Sequence, residues 1–592
     1  MKDTINFAPL RPFRAAGVVL GTLLLLAMYH HAVSPTLTIF LQRAGPQSAM
    51  EEIVLPHEGA GDKLPQKNAT YTLLVDQGIS GVRSLMIRPD DCVRKVEVNN
   101  GIVPLPPGDL CLRSSPIRVF VKPYLNSGSN QITIAIENTG GPYGMRLHLT
   151  PSIAVIVGYI IIIALGAIVA YRHAGLTGET LIFGMLACPY FLYWLLYHPN
   201  YAASHDLSGH IGYIQHIAQD WTHPYAYMGR ERWHPPTYYF LAAVVYRLGQ
   251  SIGIDPLTAV RLLSMAMFGI FCLFAVATLR VVSTSPRSAP FFTSVMLLLF
   301  FPTSVLMASR INNDIALYAA WSASFFYLTR WYQRFSVADL RNTCIATGVA
   351  VAIKSNSIIV LGIVSAVVIS ALILRQISLR YFYSRTLMVG VGFLVLAGFV
   401  NLGRLLFGNG SAGDVALHFG QSGRDPSTIF HYLSFDLRGL VSFPFQSNLI
   451  EPGFWPYVAR TMTFGEYRWR YPALASVLIF AVVVVLVSTV VITATRILAV
   501  RETWRRELPL LVSALFPFIA LAAFYHLKGM KVCQDFRFIF PVIIPLCALY
   551  MRSLESVRPK PALRALYWIL LMTGLIVASG SVLFYAGQYL YG

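Results

Sequence analysis

Charge is what this sequence has least of. Asp, Glu, Lys and Arg together make up 12% of its 592 residues, against 55% hydrophobic, where a soluble globule carries about a quarter charged. Too little polar surface is left to coat a water-soluble fold of this length, and the mean hydropathy of +0.58 agrees. A small-residue cleavage site is missing as well. The first apolar run, Ala15 to Leu41, is longer than a signal-peptide core and reads as a retained anchor. Metal-ligand spacing is also absent: His205, His210 and His216 are separated by five and six residues, not the three or four that put side chains on one helical face. No metal site is expected. The chain shows no internal repeat. Its formal net charge of +19 would suggest nucleic acid in a soluble domain, but here it sits largely in short loops between apolar runs. That is a membrane orientation signal and argues against a nucleic-acid partner.

Long apolar runs are what the chain has in abundance. About thirteen are long enough, or nearly so, for the hydrocarbon layer. After 15–41 they lie near 153–171, 181–197, 257–281, 290–307, 315–331, 342–353, 358–374, 386–407, 471–495, 508–525, 538–550 and 566–585, those flanking Lys354 reading as one broken hairpin. If Arg11 and Arg14 hold the amino terminus inside, alternate loops should be basic. They are, at Arg280 and Arg287, at Arg330, Arg334 and Arg341, at Arg375, Arg380 and Arg385, at Arg496 to Arg506, and at Arg552 to Arg564. A span at 237–248 would invert this pattern, so 207–220 and 236–250 are read as amphipathic helices lying on the outer surface.

The polar insert 42–151 has alternating segments such as "ATYTLLVDQ", "PIRVFVKPY" and "QITIAIENTG", separated by Gly, Pro and Asn turn signals. They predict an outer β-sandwich, and its phrase "NSGSNQITIAIENTGGPYG" resembles jelly-roll modules related to carbohydrate-binding domains. Cys92 and Cys111 fall inside it, and in an oxidising periplasm a disulfide between them is expected. The expected domains are therefore 1–41, tail and first span; 42–151, β-sandwich; and 152–592, a multispan core with a long outer loop at 408–470.

Ionisable groups at membrane depth are kept mainly where function requires them. On the outer side they gather in three clusters. One runs from His205 through Asp206 and Glu231 to His234 in "RWHPPTYYF"; a second is "SRINNDIALY", with Arg310 and Asp314; a third has Lys354 in "VAIKSNS" and Lys528, Lys531 and Arg537 in "HLKGMKVCQDFRFIFP".

In order and sidedness, the acid of the first core outer loop, "HPPTYYFLAAVVYRLG", "SRINND", "GVAVAIKSNS" and "FRFIFPVIIPL" resemble the GT-C fold glycosyltransferases that use polyprenyl-phosphate sugars. Protein O-mannosyltransferases and lipid A aminoarabinose transferases are among these. The jelly-roll insert near the first span is similar to that of the mycobacterial arabinosyltransferases. The resemblance implies an α-helical polytopic protein of the bacterial inner membrane, with cytoplasmic amino terminus and periplasmic active site. It would move a sugar from a polyprenyl-phosphate donor to a hydroxyl of a protein, lipid or glycan. It also puts the catalytic base at Asp206 and a second acid at Asp314, which orients the acceptor or a cation. Each has a plainer alternative as a helix cap.

Arg310, Lys354, Arg537 and Lys531 are expected around the donor phosphate, where the alternative is snorkelling from helix ends. Glu231, His234, His205 and Trp455 are expected to line the acceptor side. No cofactor is required, with a divalent cation left open. A secondary transporter or flippase of lipid-linked glycans, or a ligase using a diphosphate donor, would share the spans and the outer cations.

Overall fold

The computed structural model describes residues 36–43, 51–53, 57–58, 68–76, 82–89, 92–106, 110, 117–137, 144–151, 206–222, 234–286, 288–308, 310–407, 432, 435–445, 453–465, 469, 471–500, 502–528 and 534–590, with isolated positions at 25, 29, 157, 158, 161, 162, 165 and 169. Two compact units result, Met1–Ala203 with Ala586–Gly592, and Ser204–Tyr585.

In the first unit, ten strands among the described residues form two antiparallel sheets. β1 (Thr36–Arg43), β2 (Glu51–Ile53), β4 (Asn68–Asp76), β6 (Cys92–Val98), β7 (Gly101–Ile102) and β9 (Ser129–Glu137) make one, ordered β2-β1-β4-β9-β6-β7. β3 (His57–Glu58), β5 (Val82–Pro89), β8 (Ile117–Phe120) and β10 (Gly144–Pro151) make the other, ordered β3-β10-β5-β8. Period-two alternation drives the packing. In β9, Asn130, Ile132, Ile134 and Ile136 point inward, Ile134 opposite Tyr71 and Ile132 opposite Leu73 of β4. Leu85, Ile87, Val119 and Leu147 of the second sheet share that core, so the sheets form a sandwich. The β6–β7 turn is made by Asn99 and Asn100, at φ 50° and 66°, the residue type that, after glycine, best tolerates the left-handed region of a two-residue hairpin.

The sandwich begins earlier than the sequence indicates. Thr36–Arg43 pairs along its whole length with β4, so the first apolar run cannot remain in a membrane span as far as Leu41. "TLTIFLQR" alternates and is rich in β-formers, which hydropathy averaging hides. Cys92 is disulfide-bonded, and Cys111 lies outside the described residues. Mass spectrometry of the unreduced protein is expected to find these two joined. Two free thiols, or Cys92 joined elsewhere, would contradict the pairing.

The second unit is helical. Its first helices, α1 (Leu207–Asp220) and α2 (Thr237–Ser251), pack together through Ile214, Ile217, Tyr239 and Ala243, with the Tyr213 and Tyr239 rings stacked 3.8 Å apart. The opposite face of α2 exposes Leu241, Val244 and Leu248. One face buried and one apolar face exposed suit a helix lying at a membrane boundary. Next come α3 (Pro256–Val282), capped by Asp255, whose carboxylate accepts from Thr258 N at 2.7 Å, then α4 (Ala289–Leu299) and α5 (Pro302–Met307). The sequence reads 290–307 as one span, but Phe301 is held extended before Pro302 and the helix is interrupted there.

α6 (Asn313–Arg334) and α7 (Val337–Ile353) form an antiparallel pair clipped at both ends. Asp314 meets Lys354 at one end and Arg330 meets Asp339 at the other. The two ends of α6 are about 30 Å apart at 1.5 Å per residue, so the Asp314–Lys354 pair and the Arg330–Asp339 pair lie at opposite ends of this helix pair. At Lys354 the chain turns extended, φ −155°, makes a short 3-10 turn through Ser355–Ser357 and enters α8 (Ile358–Ile373). The expected broken hairpin is present. α9 (Arg385–Phe407) packs closely on α7, where a Cβ on Gly390 would lie 2.7 Å from the Arg341 carbonyl oxygen.

The remaining helices are α10 (Leu437–Ser442), α11 (Phe454–Phe464), α12 (Pro472–Ala499), α13 (Thr503–Lys528), α14 (Ile543–Val557) and α15 (Arg564–Leu590). Among the described residues, six helical stretches are long and apolar enough to cross a membrane, and with the composition they make this an integral membrane protein. The other expected runs form shorter or more polar helices, or lie outside the described residues, as 181–197 and most of 15–35 and 153–171 do.

Candidate active site

The site is assembled by α1, α6, the Lys354 turn and the segment before α14. Asp206 precedes α1 in the left-handed region, φ 53°, and its side chain makes no capping hydrogen bond. A capping residue holds an extended backbone so that its oxygen can reach back to the first turn; the left-handed backbone forgoes this. Asp is among the few residues that enter that region at modest cost. The half-exposed carboxylate instead lies 3.7 Å from Arg537 Nη2.

Arg537 belongs to a 3-10 helix, Phe536–Val542. Three residues per turn place Phe536, Ile539 and Val542 on one buried face and leave Arg537 and Phe538 partly exposed. Asp535 caps this helix: its Oδ1 accepts from Arg537 N at 2.9 Å, and its Oδ2 lies 3.3 Å from Arg537 Nε. Tyr318 of α6 donates its hydroxyl to the Arg537 carbonyl at 2.6 Å. The Phe538 ring faces two cations, Arg537 Cζ at 4.9 Å and Lys354 Nζ at 5.8 Å.

Asp314 does not cap α6 either. Asn312 does, its side-chain oxygen accepting from Asp314 N. This leaves the Asp314 carboxylate for Lys354 Nζ, at 2.6 Å, and for Asn312 Nδ2, at 3.0 Å. Lys354 also donates to Asn313 Oδ1 at 3.2 Å. The Asp314 and Lys354 side chains are 1% and 6% exposed, so this pair forms the floor under the more open Asp206–Arg537 pair. Arg310 is buried, donates its Nε to the Leu306 carbonyl at 3.0 Å, and lies within electrostatic range of Tyr318, as do Asp314, Asp535 and Arg537.

Three carboxylates, Asp206, Asp314 and Asp535, are thus interleaved with three cations, Arg310, Lys354 and Arg537. The structure brings together five residues singled out from the sequence and adds Asp535, Asn312, Asn313 and Tyr318. Asp535 was legible as an acid two residues from Arg537. The roles of Asn312 and Asn313 had no sequence signal beyond their place beside Asp314.

His205, Glu231 and Lys531 lie outside the described residues. His234 stacks on His210, with ring centroids 6.2 Å apart, and its carbonyl accepts from the Tyr213 hydroxyl at 3.3 Å. His210 is buried with Nδ1 2.8 Å from the Tyr239 hydroxyl. Trp455 is partly exposed on α11, donates Nε1 to the Tyr432 carbonyl at 2.8 Å and packs against Phe454 and Phe518. Its helix meets the site segment where Phe536 N donates to Thr461 Oγ1 at 3.1 Å. Among the described residues, no three His, Cys, Asp or Glu side chains are grouped to hold a metal ion.

An apolar groove of about 510 Å³ adjoins the floor. It runs between α2, α3, α6 and α7, past Leu241, Met267, Ala320 and Ile345, and its lining includes Ala316 and Ile353, close in the chain to Asp314 and Lys354.

No family model and no curated protein matches the chain. Among solved structures it is similar to ArnT from Cupriavidus metallidurans bound to undecaprenyl phosphate, at 15% identity over 70% of this chain and 76% of that one, TM-score 0.40. It is similar to the Archaeoglobus fulgidus oligosaccharyltransferase in the apo form, at 16% over 68% and 55%, TM-score 0.35. It is also similar to the arabinosyltransferase EmbB from Mycobacterium smegmatis, at 11% over 98% and 64%, TM-score 0.34. All three are GT-C fold glycosyltransferases. The likenesses are distant, and the chemistry of the site is read from this chain's own residues.

Proposed function

We propose that this protein is an integral-membrane glycosyltransferase that moves a sugar from a polyprenyl-phosphate donor to an acceptor hydroxyl, on the periplasmic side of a bacterial inner membrane. The observation that carries the reading is the Asp206–Arg537 pair: an accessible carboxylate, released from capping, beside a largely buried cation. Transfer of a phosphate-linked sugar needs those two groups side by side. Asp206 takes the proton of the acceptor hydroxyl as its oxygen attacks the anomeric carbon. The bond from that carbon to the phosphate oxygen breaks, its electron pair stays on the phosphate, and a lipid phosphate leaves. Arg537 and Arg310 stabilise the charge that grows there. The apolar groove supports the reading by offering a hydrocarbon chain a place next to the charged floor.

An order of events goes with this reading. The donor phosphate competes with Asp206 for Arg537. Once the phosphate holds Arg537, the Asp206 carboxylate is free to meet the acceptor. Lys354 takes a different part from the one its sequence suggests, since its charge is already committed to Asp314.

Neutralising Arg537 or Arg310 as Gln is expected to slow turnover by about a hundredfold to a thousandfold, the usual loss when one stabilising donor is removed. Steady-state rates of normally inserted variants measure this. Wild-type rates in both would leave the donor phosphate without a site and favour the transporter reading.

A further inference from the structure

The groove beside the charged floor has a definite length. On α6 its lining is Ala316, Ala319, Ala320, Ala323 and Tyr327, and on α7 it includes Ile353, Val349, Ala346 and Asn342. Both sets repeat at helical spacing, so the two stripes run side by side for about 16 Å at 1.5 Å per residue. The inner end is closed. There the Tyr327 ring packs on Phe274 of α3, centroids 5.9 Å apart, and Asn342 Oδ1 accepts from Arg341 Nε and Nη2 at 3.1 and 3.0 Å. Tyr238 marks the outer end. It lines the groove and is 1% exposed; its hydroxyl lies near Ser264 and the Asn312 backbone, yet among the described residues it makes no hydrogen bond of ordinary geometry. A buried hydroxyl left in that state calls for a partner from outside the protein.

Alanine gives the α6 wall its shape. Ala316, Ala320 and Ala323 recur about once per turn, leaving notches at about the 5.4 Å helical pitch. A polyisoprenoid carries a methyl branch on every fourth carbon of its chain, which at bonds of about 1.5 Å puts the branches about 5 Å apart when extended. About three such units fill the groove, and over that length the two periods drift apart by only about 1 Å. A straight acyl chain has nothing to put in the notches. Resting on the glycosyltransferase reading, we propose that the groove selects the donor by about the first three isoprene units of its tail, methyl branches seated between the α6 alanines, while the Tyr238 hydroxyl donates to a phosphate oxygen at the outer end. Leu241 and Val349 line the groove and are themselves exposed, so the rest of a longer tail leaves there into lipid.

The test titrates the purified full chain, in one detergent, with prenyl phosphates of increasing length and with straight-chain alkyl phosphates of matching main-chain length. In the wild type, affinity should rise up to farnesyl phosphate and then level off. Each straight chain should bind about tenfold more weakly than the prenyl chain of its length, because the notches stay empty. Ala323→Phe fills the groove about 10 Å below Ala316. It should leave geranyl phosphate unaffected and weaken farnesyl phosphate by about tenfold or more, the usual cost of overfilling a packed space. Ala346→Phe, at the same level on α7, should do the same, and it decides if the first variant fails to fold. Tyr238→Phe should weaken every phosphate about tenfold, whatever its tail.

Affinity that ignores tail length or branching, equal losses on geranyl and farnesyl phosphate in the alanine variants, or full binding by Tyr238→Phe would overturn the proposal. Ordered tail binding by a protein that transfers sugar from no polyprenyl phosphate refutes the glycosyltransferase reading alone. Transfer that is as fast from straight-chain donors as from prenyl donors refutes this assignment alone.

Discussion

Asp206→Asn is expected to lower transfer by about a hundredfold to ten-thousandfold, the range associated with losing a positioned general base, with membrane insertion unchanged. Asn is the same size and also tolerates the left-handed backbone that Asp206 adopts, so the local structure should persist. Because Asp206 lies 3.7 Å from Arg537, where the proposed reading has it compete with the donor phosphate, the variant should hold the donor as well as the wild type or better. The signature is a collapsed kcat with an unchanged or lower KM for the donor. Steady-state kinetics over donor concentration reads both constants. Full activity in Asp206→Asn would move the base elsewhere, and Asp314 would be the next acid to test.

Lys354→Met should act through stability first. It leaves the Asp314 carboxylate buried, with Asn312 and more distant cations but without its ammonium partner, and breaking a buried pair in this way costs about 3–5 kcal/mol. The double variant Asp314→Asn with Lys354→Met removes both charges and is expected to recover most of that loss. Thermal transitions of the four proteins in one detergent measure the coupling. A Lys354→Met protein as stable as the wild type but slow in turnover would contradict the structural role and return Lys354 to the phosphate.

Much of this arrangement was legible in the sequence because membrane residence makes charge rare. Where few ionisable groups occur, each one at a span boundary stands out, and Asp206, Arg310, Asp314, Lys354 and Arg537 were all found in that way. Hydropathy also located α3, α6 to α9 and α12 to α15, since burial in lipid demands apolar length. It could not divide roles within the cations. Pairing depends on which charges meet in space, and nothing in "VAIKSNS" says that Lys354 turns toward Asp314. The 3-10 segment was hidden for a related reason: "FRFIFPV" is apolar enough to pass for the start of a span, while Pro541 and the Asp535 cap hold it in a tighter turn. The first strand was lost to averaging, because β1 follows the apolar stretch so closely that the polar residues and the proline between them, His30, His31, Ser34 and Pro35, were absorbed into one run.

Release of lipid phosphate tests the central claim most directly. Purified protein in detergent, or in vesicles of bacterial phospholipid, is incubated with polyprenyl-phosphate sugars and a mixture of envelope acceptors, and free polyprenyl phosphate is quantified over time. Time-dependent release by the wild type, abolished in Asp206→Asn and strongly reduced in Arg537→Gln, is the predicted result. Movement of intact polyprenyl-phosphate sugar across the vesicle membrane with no phosphate released would contradict it and make the protein a transporter.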